Sequence, residues 1–382
     1  MQAIGKRVYF DHAATTPVLP EVCEQMGQIL KETYGNPSSI HEHGRKAKSI
    51  LEASRKKIAD QLKAKSSEIF FTSGGTESDN WIIKNAVQEN GIKHIISSKI
   101  EHHAVLHTIE KLEKQNSITV TWLPVNNKGE ISYSDLESTL QNNPNSLVSL
   151  MHANNEIGTL IDLNKIGTLC KQYDALFHSD TVQTVGQLPI ELDKTPIDFM
   201  VGSAHKFNGP KGVGFAYIKQ GSKLSSWVHG GGQERGYRAG TENLPAIAGM
   251  ALALETACSR MAQKTENNLH LKELLVQGFK QRFTNWQING NYENSLHSIF
   301  SVCIPQLLPN DLFLFQLDLQ GISISGGSAC SSGSAQGSHV LQNIQVPDQS
   351  NCFRISLGLY NTVKDIEFFF KGLDKIIENA NK

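Results

Sequence analysis

Strand-like and helix-like segments alternate between residues 68 and 218 of this 382-residue chain, and this alternation limits the possible fold more than any other feature. Short apolar runs are each followed by a longer segment with helical periodicity. The predicted strands are 68–72, 94–97, 119–123, 147–151, 176–180, 197–201 and 213–218, and the predicted helices between them are 75–90, 102–115, 133–140 and 164–173. Such alternation is typical of an α/β fold with a mainly parallel sheet covered by helices on both faces.

The pattern changes after about residue 263, where helices and short strands mix. A long helix is predicted to begin near Asn243, and we place a domain boundary near residue 260, within that helix. We expect residues 15–260 to form a large α/β domain. Residues 1–14 and 261–382 are expected to form a smaller α+β domain that carries a loop at 325–338. The chain is long enough for both domains.

The composition excludes several classes of protein. Hydrophobic residues make up 39% of the chain and charged residues 19%, as in an ordinary globular enzyme, and a net charge of −1 creates no field that attracts nucleic acid. No window reaches the ~18 apolar residues of a membrane span. Asp11 and His12 interrupt the N-terminus before the core of a signal peptide. We expect a cytoplasmic protein that binds neither nucleic acid nor membrane.

One of the six cysteines lies in an unusual setting. Cys330 falls within 325–338, where ten of fourteen residues are Gly or Ser, so this segment is expected to be mobile. A lone thiol on a flexible loop is predicted to take part in chemistry. The other five are expected to be buried, unreactive thiols; they are Cys23, Cys170, Cys258, Cys303 and Cys352. No His/Cys spacing suggests zinc, so no metal site is expected.

Polar side chains suited to chemistry follow several of the predicted strands. Thr76, His102, Asn155, Asp180 and Lys206 each fall just after a strand. Because open α/β sheets bind ligands at the carboxyl ends of their strands, we expect these five residues to share one site.

Lys206 is the member of this set that most directly indicates a cofactor. It stands at a strand end, flanked by Ser203 and His205 and faced by Asp180 from the neighbouring strand. This arrangement suits a Schiff base to pyridoxal 5′-phosphate, because the acid would keep the pyridinium nitrogen protonated and the ring would act as an electron sink. Ser203 and His205 could bond the phosphate. The alternative for Lys206 taken alone is a surface lysine in a Gly-rich loop.

A series of short motifs is spread along nearly the whole chain. They are Tyr9-Phe10-Asp11-His12-Ala13-Ala14-Thr15-Thr16-Pro17, Gly35-Asn36-Pro37-Ser38-Ser39, Phe71-Thr72-Ser73-Gly74-Gly75-Thr76-Glu77-Ser78-Asp79-Asn80, Glu101-His102, Asn154-Asn155-Glu156-Ile157-Gly158, Ser203-Ala204-His205-Lys206, Arg238-Ala239-Gly240-Thr241-Glu242-Asn243 and Gly327-Ser328-Ala329-Cys330-Ser331-Ser332. In order and spacing they resemble the cysteine desulfurases of the NifS/IscS type, pyridoxal-phosphate enzymes of fold type I in the class V aminotransferase group. The long loop around Cys330 resembles the group I form of that family.

The resemblance implies a role for each candidate residue. Lys206 and Cys330 would be catalytic, and His102 would stack on the pyridine ring and could move protons. The other implied cofactor contacts are Gly75, Thr76, Ser203 and His205 at the phosphate, Asn155 at the ring hydroxyl, Asp180 at the ring nitrogen, Gln183 near the ring oxygen, and Thr241 at the phosphate of the partner subunit. Arg354 would clamp the substrate carboxylate with help from Asn36. The contact of Thr241 implies an obligate homodimer.

Simpler explanations exist for three of these residues taken alone. Thr76 could be an ordinary helix N-cap, His102 a cap or a surface residue, and Arg354 one side of a surface ion pair. Arg354 alternates with the apolar Phe353 and Ile355, so its side chain is expected on the opposite face of a strand.

The implied reaction converts L-cysteine to L-alanine and leaves the sulfur on Cys330 as a persulfide. The expected partner is a sulfur-acceptor protein, such as an iron–sulfur scaffold or a thiolation protein, and Cys330 could transiently ligate a cluster bound to a scaffold. Two other functions remain open. One is a selenocysteine lyase or another β-eliminating enzyme of the same fold, and the other is a catalytically silent binding protein that kept the fold.

Overall fold

The structure, a computed structural model, describes residues 7–326, 338–347 and 349–380. The helices of these segments are α1 (Pro20–Glu32), α2 (Glu42–Leu62), α3 (Gly75–Asn90), α4 (His103–Lys114), α5 (Tyr133–Asn142), α6 (Leu163–Gln172), α7 (Leu244–Ser259), α8 (Met261–Arg282), α9 (Asn310–Leu319), α10 (His339–Asn343) and α11 (Val363–Ala380). The strands are β1 (Val8–Tyr9), β2 (Ile69–Thr72), β3 (His94–Ser98), β4 (Thr119–Leu123), β5 (Leu147–Ser149), β6 (Leu176–Asp180), β7 (Phe199–Ser203), β8 (Gly214–Ile218), β9 (Gln287–Ile288), β10 (Ile299–Pro305), β11 (Ile322–Ser323) and β12 (Ser350–Ser356). Every strand and helix predicted between residues 68 and 218 is present.

The large sheet has seven strands in the order β2-β8-β7-β6-β5-β3-β4. The strands from β7 through β6, β5 and β3 to β4 are all parallel. β8 runs antiparallel to both of its neighbours, β2 and β7. The predicted mainly parallel sheet is therefore confirmed. Its arrangement brings the carboxyl ends of β3, β5, β6 and β7 to one edge.

Apolar side chains cover both faces of the large sheet. Phe71 and Met200 lie on one face with α1, α2 and α7. Their neighbours in sequence, Phe70 and Phe199, lie on the other face with α3 and α4. Successive side chains of a strand point to opposite faces. Burial of both faces explains why these strands read as continuous apolar runs.

A second apolar core joins the two ends of the chain. Val8 and Phe10 pack with Phe279 of α8, Phe353 of β12 and Phe369 of α11. The sheet of this part has the order β12-β10-β9, and β1 pairs with β11 in parallel. The expected domain limits, 15–260 for the large domain and 1–14 with 261–382 for the small one, stay a prediction.

The long helix expected to run through residue 260 is two helices. Arg260 separates α7 from α8 and has φ −98° and ψ 3°, outside helical geometry. The hydroxyl of Ser259 donates to the carbonyl of Thr256 at 2.9 Å, a local bond that competes with helical backbone pairing. Within the described segments, no helix combines the length and the hydrophobicity needed to span a bilayer.

The expectation of five buried, unreactive thiols is wrong for three cysteines. Cys23 is exposed on α1, whose buried side is formed by other positions. Cys303 and Cys352 form a disulfide, because β10 and β12 place them directly opposite each other. Their separation of 49 residues gives no sign of this pairing. Cys170 is buried as expected, and Cys258 is half-buried.

A buried ion pair ties α2 to β2 and to the turn at 233–236. The guanidinium of Arg55 donates two bonds of 2.8 Å to the carboxylate of Glu234, and both side chains are almost fully buried. Arg55 also donates to the carbonyl of Ile69, while the N–H of Phe71 donates to Glu234. Because every strong bond of this pair is satisfied internally, the removal of one partner leaves an uncompensated charge.

We expect Glu234→Gln to lower the free energy of unfolding by about 3 kcal/mol, since Arg55 then keeps a buried charge without its carboxylate. Urea unfolding followed by circular dichroism measures this change. The control is Glu255→Gln, which breaks the exposed pair between Lys57 and Glu255 and is expected to cost less than ~1 kcal/mol. Equal effects of the two substitutions would contradict the role of the buried pair.

Candidate active site

A cavity of about 200 Å³ lies at the carboxyl edge of the large sheet. Ten of the predicted site residues line it, namely Gly75, Thr76, His102, Asn155, Asp180, Gln183, Ser203, His205, Lys206 and Arg354. The cavity is also lined by residues that the sequence did not single out, among them Ala13, Ala14, Asp79, His103, Met151 and His339. The five strand-end residues thus share one cavity, as expected from the sheet topology.

Three predicted residues are not among the lining. Asn36 is exposed, and its side-chain oxygen accepts a bond of 2.9 Å from the N–H of Ser38. Thr241 is exposed as well. The contact expected for Thr241 is with the partner subunit, so that contact stays a prediction. The role of Asn36 in binding the substrate also stays a prediction. Cys330 lies outside the described residues.

The first turn of α3 opens onto the cavity without a side-chain cap. Its N-cap is Gly74, with φ 152°, a backbone conformation that favours glycine. A Cβ on Gly75 would come within 2.6 Å of the side chain of Val182, so this position also needs glycine. Thr76 lies inside the helix, which rules out the alternative that it is the N-cap. The uncapped backbone N–H groups and the helix dipole suit a phosphate group.

Lys206 reaches back from the end of β7 to the N-terminal arm. Its amino group donates to the carbonyl of Ala13 at 2.5 Å and to that of Ala14 at 3.0 Å. Gln183 donates to the same carbonyl of Ala13 at 3.1 Å. The arm is anchored beside this lysine, because Thr16 donates to the carbonyl of His205 through both its N–H and its hydroxyl.

Asp180 and His102 are buried groups on the cavity wall that interact electrostatically. Burial raises the pKa of Asp180, and the positive charges of His102 and Lys206 and the N–H of Val182 oppose this rise. Burial lowers the pKa of His102, which the carboxylate of Asp180 opposes and the ammonium of Lys206 reinforces. Nδ1 of His102 accepts a bond of 3.2 Å from the N–H of Ala104, so the neutral ring carries its proton on Nε2. His102 is therefore both the N-cap of α4 and a cavity residue.

Asp79 adds a second buried carboxyl group to the lining of the cavity. Burial raises the pKa of Asp79 well above its usual value, and the charges of Asp180 and Glu101 add to this rise. Its neighbour His178, 3.3 Å away, has a pKa lowered to about 3 by burial. This rise favours the protonated, neutral form of Asp79. The sign of Asp79 that the sequence offers is an acidic residue at a position on the buried side of α3.

Arg354 is buried with one donor unused. Its side chain is 2% exposed and donates to the carboxylate of Asp11 at 2.8 Å and to the carbonyl of Asn155 at 2.7 Å. Its Nε is buried and has no hydrogen-bond partner among the described residues. Phe353 and Ile355 point into the small apolar core, as their alternation predicts. Burial rules out a surface ion pair and leaves Nε as a donor for a ligand.

The donor set fits pyridoxal phosphate. The uncapped start of α3 can take the phosphate, the carboxylate of Asp180 can take a ring nitrogen, and the amine of Lys206 can take the aldehyde carbon. Burial lowers the pKa of His205 to about 4, so its ring is neutral and can donate a single hydrogen bond.

Electrostatic coupling across the cavity makes a prediction about His102. We expect Asp180→Asn to lower the pKa of His102 further, because it removes the opposing carboxylate, and Lys206→Ala to raise this pKa, because it removes a cation. NMR titration of carbon-13-labelled histidine in the cofactor-free protein measures both shifts. His107→Gln, which removes a more distant imidazole of α4, serves as the control and should raise the pKa less. A rise in the Asp180→Asn variant would show that this carboxylate does not act on His102.

Known proteins are similar to this chain over nearly its whole length. The family model described as Aminotransferase class-V matches residues 8–369. The cysteine desulfurase IscS of Dictyoglomus turgidum is 44% identical over 378 residues, which cover 98% of this chain and 95% of that protein. The cysteine desulfurase IscS of Clostridium botulinum is 42% identical, with 99% and 96% covered.

Solved structures give the same result. A NifS-like protein superposes with a TM-score of 0.90 at 37% identity, covering 98% of this chain and all of that one. A NifS-like protein from Rickettsia africae superposes with a TM-score of 0.87 at 34% identity, with 98% and 100% covered. With matches of this extent on both sides, the chain belongs to the aminotransferase class V family and, within it, to the cysteine desulfurases of the IscS/NifS type.

Proposed function

We propose that this protein is a pyridoxal-phosphate-dependent cysteine desulfurase that converts L-cysteine to L-alanine and keeps the sulfur as a persulfide on Cys330. The observation that carries this proposal is the single cavity lined by Lys206, Asp180, His102 and Arg354. It combines a base, a buried acid, a neutral imidazole and a guanidinium with an unused donor. These are the groups that an amino-acid substrate and its cofactor require.

The cofactor is proposed to lie between His102 and the end of β6. Its phosphate would be held by the first turn of α3, including Gly75 and Thr76, with help from Ser203 and His205. Its ring nitrogen would face Asp180, and its ring oxygen would lie near Asn155 and Gln183. When bound, pyridoxal phosphate supplies an electron sink for the carbon that loses its proton.

The substrate is held and deprotonated by residues of this chain. Arg354 is proposed to bind the α-carboxylate through its Nε, because Nη2 and Nη1 already donate to Asp11 and to the carbonyl of Asn155. Asn36 is proposed to assist. Lys206 is proposed to remove the α-proton, since it stands at the same cavity as Arg354.

Sulfur transfer then needs one thiolate. Cys330 would attack the sulfur of the substrate, so that the bond between this sulfur and the substrate carbon breaks while a bond between two sulfurs forms. The products are alanine and an enzyme persulfide. A free thiol with a pKa of ~8.5 is mostly protonated at neutral pH. His102 is proposed to take this proton at Nδ1, its unprotonated nitrogen, which then gives up the bond it accepts from the N–H of Ala104.

Two other functions share parts of this site. A selenocysteine lyase or another β-eliminating enzyme would use the same lysine and cofactor contacts, and turnover of cysteine compared with selenocysteine separates it from a desulfurase. A catalytically silent binding protein would lack the visible absorbance of a lysine-bound cofactor after purification. The desulfurase is favoured because ten of the twelve described residues expected for the chemistry line one cavity.

The proposed setting is the cytoplasm, where the persulfide would pass to an acceptor protein such as an iron–sulfur scaffold or a thiolation protein. Transfer of labelled sulfur from L-cysteine to candidate acceptors identifies the acceptor.

We also propose a homodimer, with Thr241 of each subunit at the phosphate of the other. The exposed position of Thr241 leaves its hydroxyl accessible to a partner.

Lys206→Ala is expected to abolish the borohydride-trappable link to the cofactor and to lower turnover about 10³-fold or more, because the base is lost. Mass spectrometry of the reduced protein and an alanine-formation assay measure the two effects. Lys211→Ala is the control, because Lys211 is an exposed lysine of the same loop, and it should retain both properties. A trappable link in the Lys206→Ala protein would place the cofactor on another lysine.

Cys330→Ser is expected to retain cofactor binding and to form no persulfide, because the lysine and the phosphate contacts are unchanged. Labelling with radioactive cysteine sulfur measures the persulfide. Cys23→Ser removes an exposed thiol of α1 and is expected to accumulate persulfide like the parent. Persulfide on the Cys330→Ser protein would assign the sulfur to another cysteine.

Mixing two inactive variants tests the shared site. Lys206→Ala subunits supply an intact Thr241, and Thr241→Ala subunits supply an intact Lys206. If Thr241 completes the site of the partner subunit, each mixed dimer contains one complete site and one defective site. The activity of each mixed dimer is therefore expected to approach one half of the parent value. Sedimentation verifies the exchange of subunits. No recovery in mixed dimers, or a fully active monomer, would refute the arrangement.

A further inference from the structure

The disulfide between Cys303 and Cys352 lies close to the proposed substrate clamp. The two cysteines are direct partners in the register of β10 and β12. The next pair on the same face is Ser301 with Arg354, two residues further along each strand. The disulfide is therefore one step along the sheet from the guanidinium that lines the cavity.

The two sulfurs differ in their access to solution. Cys352 lines a groove of about 550 Å³ formed by α10, the segment after it and the start of β12. Cys303 does not line this groove, is 2% exposed and contacts the side chain of Asn289 at 3.2 Å. A small thiol or disulfide in solution would therefore react first at Cys352. The thiol of Cys303, the direct partner of Cys352, can then complete the thiol–disulfide exchange.

The strand that carries Cys352 also organises the cavity wall. The N–H of Arg354 donates to the carbonyl of Ser325 at 2.7 Å, and the following strand end bridges to Asp11 of the N-terminal arm. Asp11 in turn accepts the ion pair from the side chain of Arg354. A shift of β12 relative to β10 would therefore move the guanidinium with its backbone.

We propose that Cys303 and Cys352 form a reversible redox site that adjusts the affinity of the cavity for the carboxylate of its amino-acid ligand. The oxidant is a small-molecule disulfide such as oxidised glutathione. The thiolate of Cys352 attacks it and releases one thiol, and the thiolate of Cys303 then attacks the mixed disulfide and releases the second. Two protein thiols are oxidised and one small disulfide is reduced, and the two protons lost by the cysteines go to the two leaving thiolates.

The spacing of the strands sets the direction of the effect. Bonded sulfurs lie about 2.0 Å apart, and two unbonded thiols cannot approach as closely. Because Cys303 and Cys352 are direct partners in the register, reduction favours a wider separation of β12 from β10 at this pair. This wider separation displaces Arg354, so the reduced protein should bind the carboxylate about threefold more weakly. This consequence rests on the proposed role of Arg354.

The test uses the full-length, cofactor-loaded protein with Cys330→Ser, which removes the proposed persulfide thiol. One sample is treated with oxidised glutathione and another with dithiothreitol, each then freed of reagent. Alkylation after denaturation, which makes both buried cysteines accessible, followed by mass spectrometry reports the state of each cysteine. Titration with L-alanine, which has the substrate carboxylate but no thiol, is followed by the visible absorbance of the cofactor. A second protein carries Cys352→Ser in addition to Cys330→Ser and tests the pair. A third carries Cys258→Ser in addition to Cys330→Ser and serves as the matched control.

The proposal expects Cys303 and Cys352 to resist alkylation after oxidation and to react after reduction, with a threefold difference in the dissociation constant of L-alanine. The Cys258→Ser protein should behave likewise, while Cys352→Ser should abolish the difference. Free thiols after oxidation, or equal affinities in the two states, would overturn it. The alkylation result decides the redox site even if L-alanine fails to bind, and such a failure would count against the proposed role of Arg354.

Discussion

The carboxylate of Asp180 is the group on which the arrangement of the cavity depends. A buried charge is tolerated only beside compensating partners, and here the ammonium of Lys206 supplies one, while the carboxylate partly offsets the fall in the pKa of His102 that burial causes. The parallel order of β3, β6 and β7 brings these three residues to one edge, since each follows the end of a strand or its connection. These three groups are thus held by the same electrostatic balance that makes their burial possible.

The N-terminal arm connects this balance to the rest of the molecule. Val8 and Phe10 are anchored in the small apolar core, while the carbonyls of Ala13 and Ala14 accept bonds from Lys206. Asp11 lies between them and holds Arg354. A short segment therefore contacts both the lysine of the large sheet and the arginine of the small one. The geometry between the two groups depends on contacts that are distant in sequence.

Local patterns predicted the elements well where packing and periodicity agreed. The strands between 68 and 218 are continuous apolar runs because both faces of the sheet are buried, and each was predicted from that pattern alone. Prediction failed near Arg260, where one long helix was expected and the backbone instead breaks between α7 and α8. It also failed for Cys303 and Cys352, because strand register between distant segments decides which thiols meet.

The sequence by itself determined the family, the α/β class and the strand-end residues of the site, because motif order, hydrophobic period and residue chemistry are local properties of the chain. The tertiary structure decided which of these residues share a cavity, and it added Asp11, Asp79 and the carbonyl of Ala13. These contributions depend on burial, on pKa shifts and on backbone groups that have no signature in the sequence. They arise only when segments far apart in the chain exclude water together.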